Sequence, residues 1–559
     1  MKKFYNSALA AAMLLPTALT ASAQQPGDGQ PNKVTVHGSV QADILFPEED
    51  EAINAGKPDH KINEGIYANA AIFSKYIEGG LRVEYNQFPL PIFKTEPDFK
   101  GWGLANIYVK GKFKNMELTL GDFYEQFGNG FILRTYEDRP LGIDNSIRGA
   151  RAKINIVPGL RITALGGIQR RYWDWDMRSK IAGADVETNL ETYFEGLRNQ
   201  NVIWTFGASY VYKHESDENI VVPGTNYRLN LPKDVSAFDV RSHFNKGAWD
   251  VTGEFAWKAP DPSSDNNYTY RHGNAIMLTG SYSKKGLSAL VQAKRSENMA
   301  FRSRRSQQGV AAKINHMPPF AYQQTYALAA MYPYATQDAP GEWAFQGAFA
   351  YLFKRKTPLG GKYGTKLRLN VSYINGLKRE SGERFHGVQW GTDGDKTKFF
   401  GFGDLYYLDA NVQMEKRITS KFNLTAMYMF QRYNQGVLEG HGGMVTAHIA
   451  VVDAKYKFNH KLTLRGELQY LATKQDKKDW AYGLLELSVQ PYLMFTVSDT
   501  WNCGGDGTHY YMASITGNYR SNRLMIGYGR TREGIDCSGG VCRNVPASRG
   551  FQIAYTYNF

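Results

Sequence analysis

The sequence predicts an all-β protein, namely a single large antiparallel transmembrane β-barrel that follows a cleaved signal peptide. Three observations predict this fold: a secretory signal at the N-terminus, a strand that alternates up to the C-terminal Phe559, and the lack of any other long apolar run. Counting the segments that alternate over about ten residues gives roughly 20 to 24 strands, an even number as expected for a single-chain barrel.

The N-terminus has the three parts of a secretory signal peptide. Two lysines precede an apolar stretch from Ala8 to Leu19, which ends at the small-residue triplet Ala21-Ser22-Ala23. The stretch is too short to cross a hydrocarbon layer of roughly 30 Å. We therefore expect residues 1–23 to be removed and residues 24–559 to form the barrel domain.

The C-terminus predicts a strand at a membrane interface. Phe551, Ile553, Tyr555, Tyr557 and Phe559 alternate with small or polar residues up to the carboxylate. A terminal strand that ends in Phe is similar to the C-terminal signal of bacterial outer-membrane barrels. Because only alternate residues of such a strand face lipid, a barrel needs no continuous apolar span.

Composition favours an envelope protein with anionic partners. The formal net charge is +13, and loss of the two signal-peptide lysines leaves 13 − 2 = +11. A basic surface favours acidic partners, and an exported chain does not meet nucleic acid. We expect the outer membrane of a Gram-negative bacterium as the location. The expected partners are outer-membrane lipid, small anionic or glycan solutes, and other envelope proteins.

Interior strands show the same alternation as the C-terminus. In the segment from Lys461 to Leu471, leucines and a tyrosine share one face, while lysine, arginine, glutamate and glutamine share the other. The segment from Lys366 to Tyr373 repeats this pattern. Lipid outside and water inside satisfy both faces. Weaker alternation, as in Tyr326 to Met331, marks further candidate strands.

Turn lengths predict which loops lie on which side of the membrane, because barrels alternate short periplasmic turns with longer external loops. Counting back from Phe559 places the three cysteines in external loops, together with a long external segment from Asn375 to Gly401. Two long segments, Asp174 to Asn201 and Arg302 to Pro319, leave open a hidden strand, a helix or an inward-folded loop.

Cysteine content predicts at most one disulfide. Cys537 and Cys542 are close enough in sequence to pair in an oxidising compartment, which leaves Cys503 over. No set of residues has the ligand spacing of a zinc site, so we expect neither a metal nor a cofactor. Asp393, Asp395 and Asp404 offer oxygen ligands without the spacing of an EF-hand.

The densest group of charged residues lies between Gly121 and Arg151 and does not alternate like a lipid-facing strand. Two interpretations stay open: a segment folded into the lumen, where the charges form a constriction, or two strands joined by a solvated polar turn. The candidate lumen residues are Arg134, Glu137, Asp138, Arg139, Asp144, Arg148 and Arg151.

At these residues the chain resembles a family of large outer-membrane barrels of unknown function from Bacteroides-like Gram-negative bacteria. The segment from Gly121 to Gly149 carries the resemblance, with the signal peptide and the terminal Phe559 in support. The resemblance implies a fold and a location, and it implies no chemistry. TonB-dependent transporters are similar in strand number, but they carry a plug before the first strand, whereas alternation here begins near Val34.

Sequence motifs give no support to an enzyme. The chain contains neither a Gly-x-Ser-x-Gly elbow nor a His-Glu-x-x-His pair. We expect a porin-like channel or transporter for small polar or anionic solutes. The alternative is a non-conducting scaffold or assembly barrel that docks partner proteins or surface polysaccharide.

Overall fold

A computed structural model describes residues 34–559 of the chain apart from positions 95, 176 and 539. Twenty-four antiparallel strands form one closed barrel, in which the first strand pairs with the last from Ser39 opposite Asn558 to Glu48 opposite Arg549. The all-β barrel and its strand number are therefore confirmed. The predicted signal peptide lies outside the described residues.

The barrel strands are β1 Thr35–Glu48, β2 Asn63–Phe73, β3 Ile77–Asn86, β4 Gly101–Lys112, β5 Met116–Phe123, β6 Ile147–Val157, β7 Leu160–Arg171, β8 Ser179–Asn189, β9 Val202–Glu215, β10 Asp234–Lys246, β11 Trp249–Lys258 and β12 Gly273–Lys284. They continue with β13 Leu287–Glu297, β14 Glu342–Phe353, β15 Thr365–Glu380, β16 Lys396–Arg417, β17 Phe422–Asn434, β18 Met444–Lys457, β19 Leu462–Thr473, β20 Trp480–Val489, β21 Leu493–Trp501, β22 His509–Tyr519, β23 Asn522–Thr531 and β24 Ser548–Asn558.

Smaller elements lie in the connections. Two short hairpins pair Glu137–Asp138 with Ile143–Asp144 and Gly534–Ser538 with Val541–Val545, and a two-residue strand, Asp174–Trp175, extends β7. The helical turns are Glu51–Ile53, Pro91–Phe93, Pro97–Phe99, Leu190–Thr192, Glu195–Asn199, Ser264–Asn266 and Gln435–Leu438. In the part of the chain that the structure describes, no helix is long and apolar enough to span a membrane.

The two ends of the barrel differ in the length of their connections. One end, the short-turn end, holds the start of β1, the end of β24 and turns such as 247–248 and 520–521. The opposite end, the long-loop end, holds connections such as 124–146, 298–341 and 532–547. Every turn and loop assigned by counting back from Phe559 falls at the expected end.

Strand alternation separates an apolar outer face from a polar lumen. In β19, Leu468 is 69% exposed on the outside, whereas the neighbouring Glu467 is 4% exposed inside. Outward apolar side chains such as Val371 and Tyr373 in β15 repeat this arrangement, opposite the buried Ser372. The alternation predicted from the sequence is therefore the alternation of the barrel wall.

Some segments differ from the prediction. Tyr326 to Met331 is not a strand, because its backbone belongs to the connection 298–341 and bonds to barrel side chains instead of to a neighbouring strand. The strand β10 was not predicted, and β8 is the strand that the Asp174 to Asn201 segment left open. The connection between β15 and β16 is shorter than expected, since these strands extend to Glu380 and from Lys396.

Candidate functional site in the barrel lumen

Residues 124–146, which we name the short lumen loop, cross the inside of the barrel. Asn129 donates to the Glu254 carboxylate in β11 from both its backbone and its side chain, at 3.0 and 2.6 Å. The Arg139 guanidinium reaches the opposite wall and donates to the Gln41 side chain of β1 at 2.9 Å. Contacts with walls so far apart along the strand order require that the loop lies within the lumen.

Residues 298–341, which we name the long lumen loop, also cross the inside of the barrel. The Gln324 side chain donates to Asp409 in β16 at 2.7 Å, and the Leu328 amide donates to the Gln469 side chain in β19 at 2.8 Å. The backbone of this loop has no regular secondary structure. An unstructured connection of this length is unusual in a compact domain unless it is functional.

The two lumen loops bond to each other along their backbones. The Arg134 amide donates to the Ile314 carbonyl at 2.8 Å, and the His316 amide donates to the Gly130 carbonyl at 3.0 Å. The Asn315 side chain donates to the Phe131 carbonyl at 2.9 Å. These bonds satisfy backbone groups that burial would otherwise leave unpaired.

An apolar core fills the space between the lumen loops and the wall. Phe131, Ile132 and Leu133 are fully buried, as are Ile314 and Leu328 of the long lumen loop. Burial of each such side chain contributes roughly 1.5 to 3 kcal/mol. The wall contributes Val211, Val235, Ala237, Ala256, Met429, Ile449, Leu471 and Trp480, among others, to the same core. A dry core closes the middle of the lumen.

Buried charges fix the long lumen loop to the wall near its first residues. Lys213 of β9 forms ion pairs with Asp261 at 2.8 Å and with Glu215 at 3.2 Å. Glu215 also pairs with Arg305 of the loop at 3.1 Å, and Lys258 of β11 donates to the Ala300 carbonyl at 2.6 Å. Removing one partner from such a buried set costs about 3 to 5 kcal/mol.

A second buried charge network fixes the short lumen loop. Arg82 of β3 pairs with Glu84 at 2.7 Å and with Glu137 of the loop at 2.9 Å, and it also contacts Asp144. Arg170 of β7 pairs with the same Glu84 at 3.1 Å and with Asp144 at 2.5 Å. Two arginines on the wall therefore hold two carboxylates of the loop.

His316 is buried where the two lumen loops meet. Its ring lies edge-on to the Tyr136 ring at 6.0 Å between centroids, and the residue is 5% exposed. Burial, with the nearby charges of Arg134, Lys313 and Lys294, lowers the pKa of His316 to about 3. The imidazole is therefore neutral while the loops are docked.

The hairpin of Gly534–Ser538 and Val541–Val545, which we name the disulfide hairpin, packs on the lumen loops from the long-loop end. Cys537 and Cys542 are bonded in the structure, and Cys503 is free. The Thr336 amide of the long lumen loop donates to the Gly540 carbonyl at 3.0 Å. Arg543 of the hairpin pairs with Glu96 at 2.8 Å.

The candidate residues named from the sequence fall into different settings within this architecture. Glu137 and Asp144 join the network of Arg82 and Arg170, and Arg139 pairs with Glu137 at 2.6 Å while its guanidinium lies 4.7 Å above the Tyr67 ring. These three candidates lie together at the side of the short lumen loop that faces β1, β2 and β3.

Arg134 and Asp138 have local roles within the short lumen loop. The Arg134 guanidinium lies 5.0 Å from the centre of the Tyr136 ring, and Asp138 accepts a bond from the Leu141 amide at 3.2 Å. They stabilise the fold of the loop.

Arg148 and Arg151 lie on the wall strand β6 and point to opposite faces. Arg151 is on the face of the buried core residue Ile147 and pairs with Glu117 at 3.1 Å and Glu125 at 3.2 Å. Arg148 is adjacent to Ile147 and pairs with Asp122 at 2.7 Å. Because neighbouring strand residues point to opposite faces, Arg148 points away from the lumen.

Sequence reasoning missed the wall residues that hold the loops. These residues occupy lumen-facing positions of alternating strands, namely Arg82, Glu84, Lys213 and Glu254. A charged side chain at such a position is also expected when it faces only water. Position is their single available signal, since each lies in the half of its strand that leads into a long connection. The partners across the lumen are not visible in the local pattern.

A gap lies between the short lumen loop, the disulfide hairpin and the wall. A cavity of about 420 Å³, which we name the seam cavity, lies where β1 and β24 close the barrel. Its charged lining residues are Asp43, Arg139 and Asp536, and Gln41, Tyr67, Thr531 and Gln552 add polar groups. Asp43 comes from β1, Arg139 from the short lumen loop and Asp536 from the disulfide hairpin.

Metal binding finds no support in the described residues, where no three or more histidine, cysteine, aspartate or glutamate side chains group as metal ligands. Asp395, one of the three aspartates considered above, pairs with Arg384 at 2.8 Å and accepts a bond from the Gly382 amide at 3.0 Å. An arginine partner and a backbone partner account for this carboxylate without a cation.

Comparison with known proteins identifies the family. The model of a family of unknown function, DUF6029, matches residues 1–559. The chain belongs to this family. No curated protein sequence matches the chain.

Solved structures similar to this family member are outer-membrane barrels. The siderophore receptor PirA from Pseudomonas aeruginosa has 9% identity and a TM-score of 0.43, over 96% of this chain and 81% of the receptor. OccAB4 from Acinetobacter baumannii has 9% identity and a TM-score of 0.36, over 96% and 100%. The translocation pore of the P pilus usher PapC has 8% identity and a TM-score of 0.37, over 94% and 99%. Likenesses at this level carry no argument about function.

Proposed function

We propose that this protein is an outer-membrane transporter for small polar solutes, in which the two lumen loops close the barrel and the solute passes along the seam cavity. The long-loop end is then the external side, as the turn lengths predict. Origin in a Bacteroides-like bacterium remains a prediction of the sequence resemblance.

The seam cavity is the observation that carries this proposal. Around Phe131 and Leu328, buried side chains fill the space between the loops and the wall. Along β1, β23 and β24 the space is instead open, and its lining mixes apolar side chains such as Met525 with charged ones such as Asp43 and Arg139. A polar solute finds charged and hydrogen-bonding partners along this side, which lowers its desolvation cost.

Charge at the seam cavity favours polar over strongly anionic solutes. Its lining carries the carboxylates of Asp43 and Asp536 and the guanidinium of Arg139, and this guanidinium already pairs with Glu137. The charge of this cavity therefore does not favour the small anionic solutes that the sequence predicts. Arg139 is the cationic residue of this lining, and we assign it the role of gate residue.

A planar lipid bilayer tests the proposal directly. Purified mature protein is inserted, and single-channel current is recorded at both polarities under a salt gradient. Small steps that grow when Arg139 is replaced by alanine support passage along the seam. Steps that are unchanged by Arg139→Ala, but that grow when the long lumen loop is shortened, place the route through the loops and contradict the proposal.

The second candidate is a non-conducting scaffold or assembly barrel, which docks partner proteins or surface polysaccharide. The observation that favours it is the size of the dry core between the lumen loops and the wall. In that case neither the wild type nor Arg139→Ala gives channel current in the bilayer, although heat-modifiable migration in gels shows that each protein is a folded barrel.

An enzymatic role is not proposed. Histidine–aspartate pairs occur at His214–Asp234, His243–Asp250 and His509–Asp499, with separations of 2.6 to 2.7 Å. Their side chains are between one third and two thirds exposed, and none of them lines the seam cavity. That the protein is not an enzyme therefore remains a prediction.

A further inference from the structure

A second cavity, of about 320 Å³, opens at the long-loop end beside the seam cavity. We name it the vestibule. It is lined by the connection between β1 and β2, by the connection between β3 and β4, and by residues 546–549. The vestibule and the seam cavity share Leu90, Pro91, Phe93, Pro546 and Ser548 as lining residues. The two cavities therefore adjoin.

Unpaired positive charge distinguishes the vestibule from the seam cavity. Lys57, Lys94 and Lys100 line it, and none of them has an ion-pair partner among the described residues. Two of its acidic residues are neutralised, since Glu96 pairs with Arg543 at 2.8 Å and Glu48 pairs with Arg549 at 3.3 Å.

Asp59 is the remaining carboxylate of the vestibule, and no described residue pairs with it. Three free ammonium groups therefore face one free carboxylate. Because the three lysines lie on two different connections, their charges converge on the cavity from two sides. A ligand with an acidic group gains from this field, and salt weakens the gain.

The walls of the vestibule are held in place before any ligand arrives. Five prolines line it, namely Pro47, Pro58, Pro89, Pro91 and Pro546. Each proline fixes its own φ angle, and the buried side chains of Phe93 and Ala55 support the floor. A site with fixed walls loses little conformational entropy when it binds.

The polar and ring groups of the vestibule suit a sugar. Asn54 and Ser548 carry hydrogen-bonding side chains that have no partner among the described residues. The His60 ring packs on the Phe88 ring with centroids 4.3 Å apart, and the Lys100 ammonium lies 5.7 Å from the centre of the same Phe88 ring. Neutral donors, apolar walls and a positive field together match a ligand with hydroxyl groups and an acidic group.

We infer that the vestibule is a binding site for an anionic carbohydrate of one or two sugar residues, whose carboxylate or phosphate group lies among Lys57, Lys94 and Lys100. This binding requires no conduction through the barrel. A failure of the proposed transport along the seam would therefore leave this inference intact, and the reverse also holds.

Calorimetry with the folded mature protein in detergent tests the inference. The probes are digalacturonate, a hexose phosphate, the neutral disaccharide galactobiose, and inorganic phosphate. We expect an acidic sugar to bind about tenfold or more tightly than galactobiose and inorganic phosphate, with affinity that falls as salt rises. Preference between digalacturonate and the hexose phosphate identifies the acidic group as a carboxylate or a phosphate.

Three variants separate the vestibule from general surface charge. Replacing Lys57, Lys94 and Lys100 together by alanine is expected to weaken binding about tenfold, because the exposed positive charges that attract the acidic group are lost. Replacing the same three lysines by arginine is expected to retain binding. The control replaces Lys233, Lys474 and Lys478 by alanine, since these exposed lysines lie at the long-loop end outside the vestibule.

Several results would overturn the inference. One is binding of galactobiose or inorganic phosphate as tightly as the acidic sugars, and another is the absence of binding by both acidic sugars. A third is equal loss of binding in the vestibule variant and in the control variant. Circular dichroism and heat-modifiable migration in gels verify that each variant is folded. Loss of binding can then not be due to loss of the barrel fold.

Discussion

Arg139 of the short lumen loop donates to the side chain of Gln41 in β1 at 2.9 Å, and so joins the loop to the strand where the barrel closes. The same guanidinium pairs with Glu137 and lies over the Tyr67 ring. One side chain therefore lines the seam cavity and fixes the edge of the loop that borders it.

Replacing Arg139 by alanine is expected to widen the seam and to make the current more cation-selective. Asp43 and Asp536 remain in the lining, and loss of one positive charge near a narrow path changes ion energies by about 1 kcal/mol, or about fivefold in relative permeability. Reversal potentials under a salt gradient measure this change. Arg148→Ala is the matched control, because Arg148 pairs with Asp122 on the outward face. Equal shifts of the reversal potential in both variants would show that Arg139 is not the gate residue.

The disulfide hairpin gives a second prediction. Thiol titration of the unreduced, denatured protein should find one free thiol, from Cys503, and reduction should raise the count to three. Three thiols before reduction would rule out the bond in the protein. In the double variant Cys537→Ser, Cys542→Ser, the hairpin loses about 2 kcal/mol of stability, since the closed loop is short. Faster proteolytic cleavage within residues 534–545 is the expected readout, and Cys503→Ser serves as the control.

Acidification is expected to loosen the lumen loops through His316. The pKa of this imidazole is about 3 when the loops are docked, because of burial first and of neighbouring cations second. An undocked loop exposes the imidazole and restores a pKa of about 6.5. Above about pH 6.5 the His316 imidazole is neutral in both the docked and the undocked state. Between about pH 6.5 and 3 it binds a proton only in the undocked state. Docking therefore weakens as the pH falls from about 6.5 toward 3, by roughly 2 kcal/mol at pH 5.

Hydrogen exchange of residues 298–341 at pH values between 7 and 5 measures this effect, after correction for the intrinsic exchange rate. His316→Gln removes the titrating group and is expected to flatten the pH dependence. His386→Gln is the control, since His386 is exposed in a different connection. A pH dependence that persists in His316→Gln would assign it to other groups at the interface.

Much of the barrel wall was predictable because the alternation within each strand reflects which of its side chains face lipid and which face the lumen. The leucines and polar residues between Lys461 and Leu471 face lipid and lumen in the way that their alternation predicts. The positions of Cys503, Cys537 and Cys542 at the long-loop end also followed from sequence, since counting turns from Phe559 requires no knowledge of distant contacts. Periodicity of two and turn length are local properties.

The closure of the lumen was not predictable in the same way. Residues 298–341 have no periodicity, and their order depends on partners such as Asp409, Gln469 and Glu215, which lie far away in sequence. Tyr326 to Met331 carries enough apolar residues to suggest a strand, yet its side chains pack into the core of the lumen. Of the candidate cluster, Arg139 faces the seam and Arg148 faces outward. The path of the short lumen loop sets the first direction and the register of β6 sets the second, and neither can be seen in the density of charged residues.

A last prediction tests the membrane face of the barrel. Val291 of β13 is 70% exposed, and its neighbour Gln292 faces the lumen, where its side chain donates to Gln346 at 2.5 Å. Val291→Arg places a charge in the lipid band and is expected to cost about 2 to 4 kcal/mol of folding free energy in a bilayer. Gln292→Arg places the same charge one residue away in the polar lumen and should cost less than half as much. Urea titrations of the folded protein in lipid vesicles compare the two variants. Equal costs would mean that the two faces do not differ in environment, and the apolar outer face would then not be in contact with lipid.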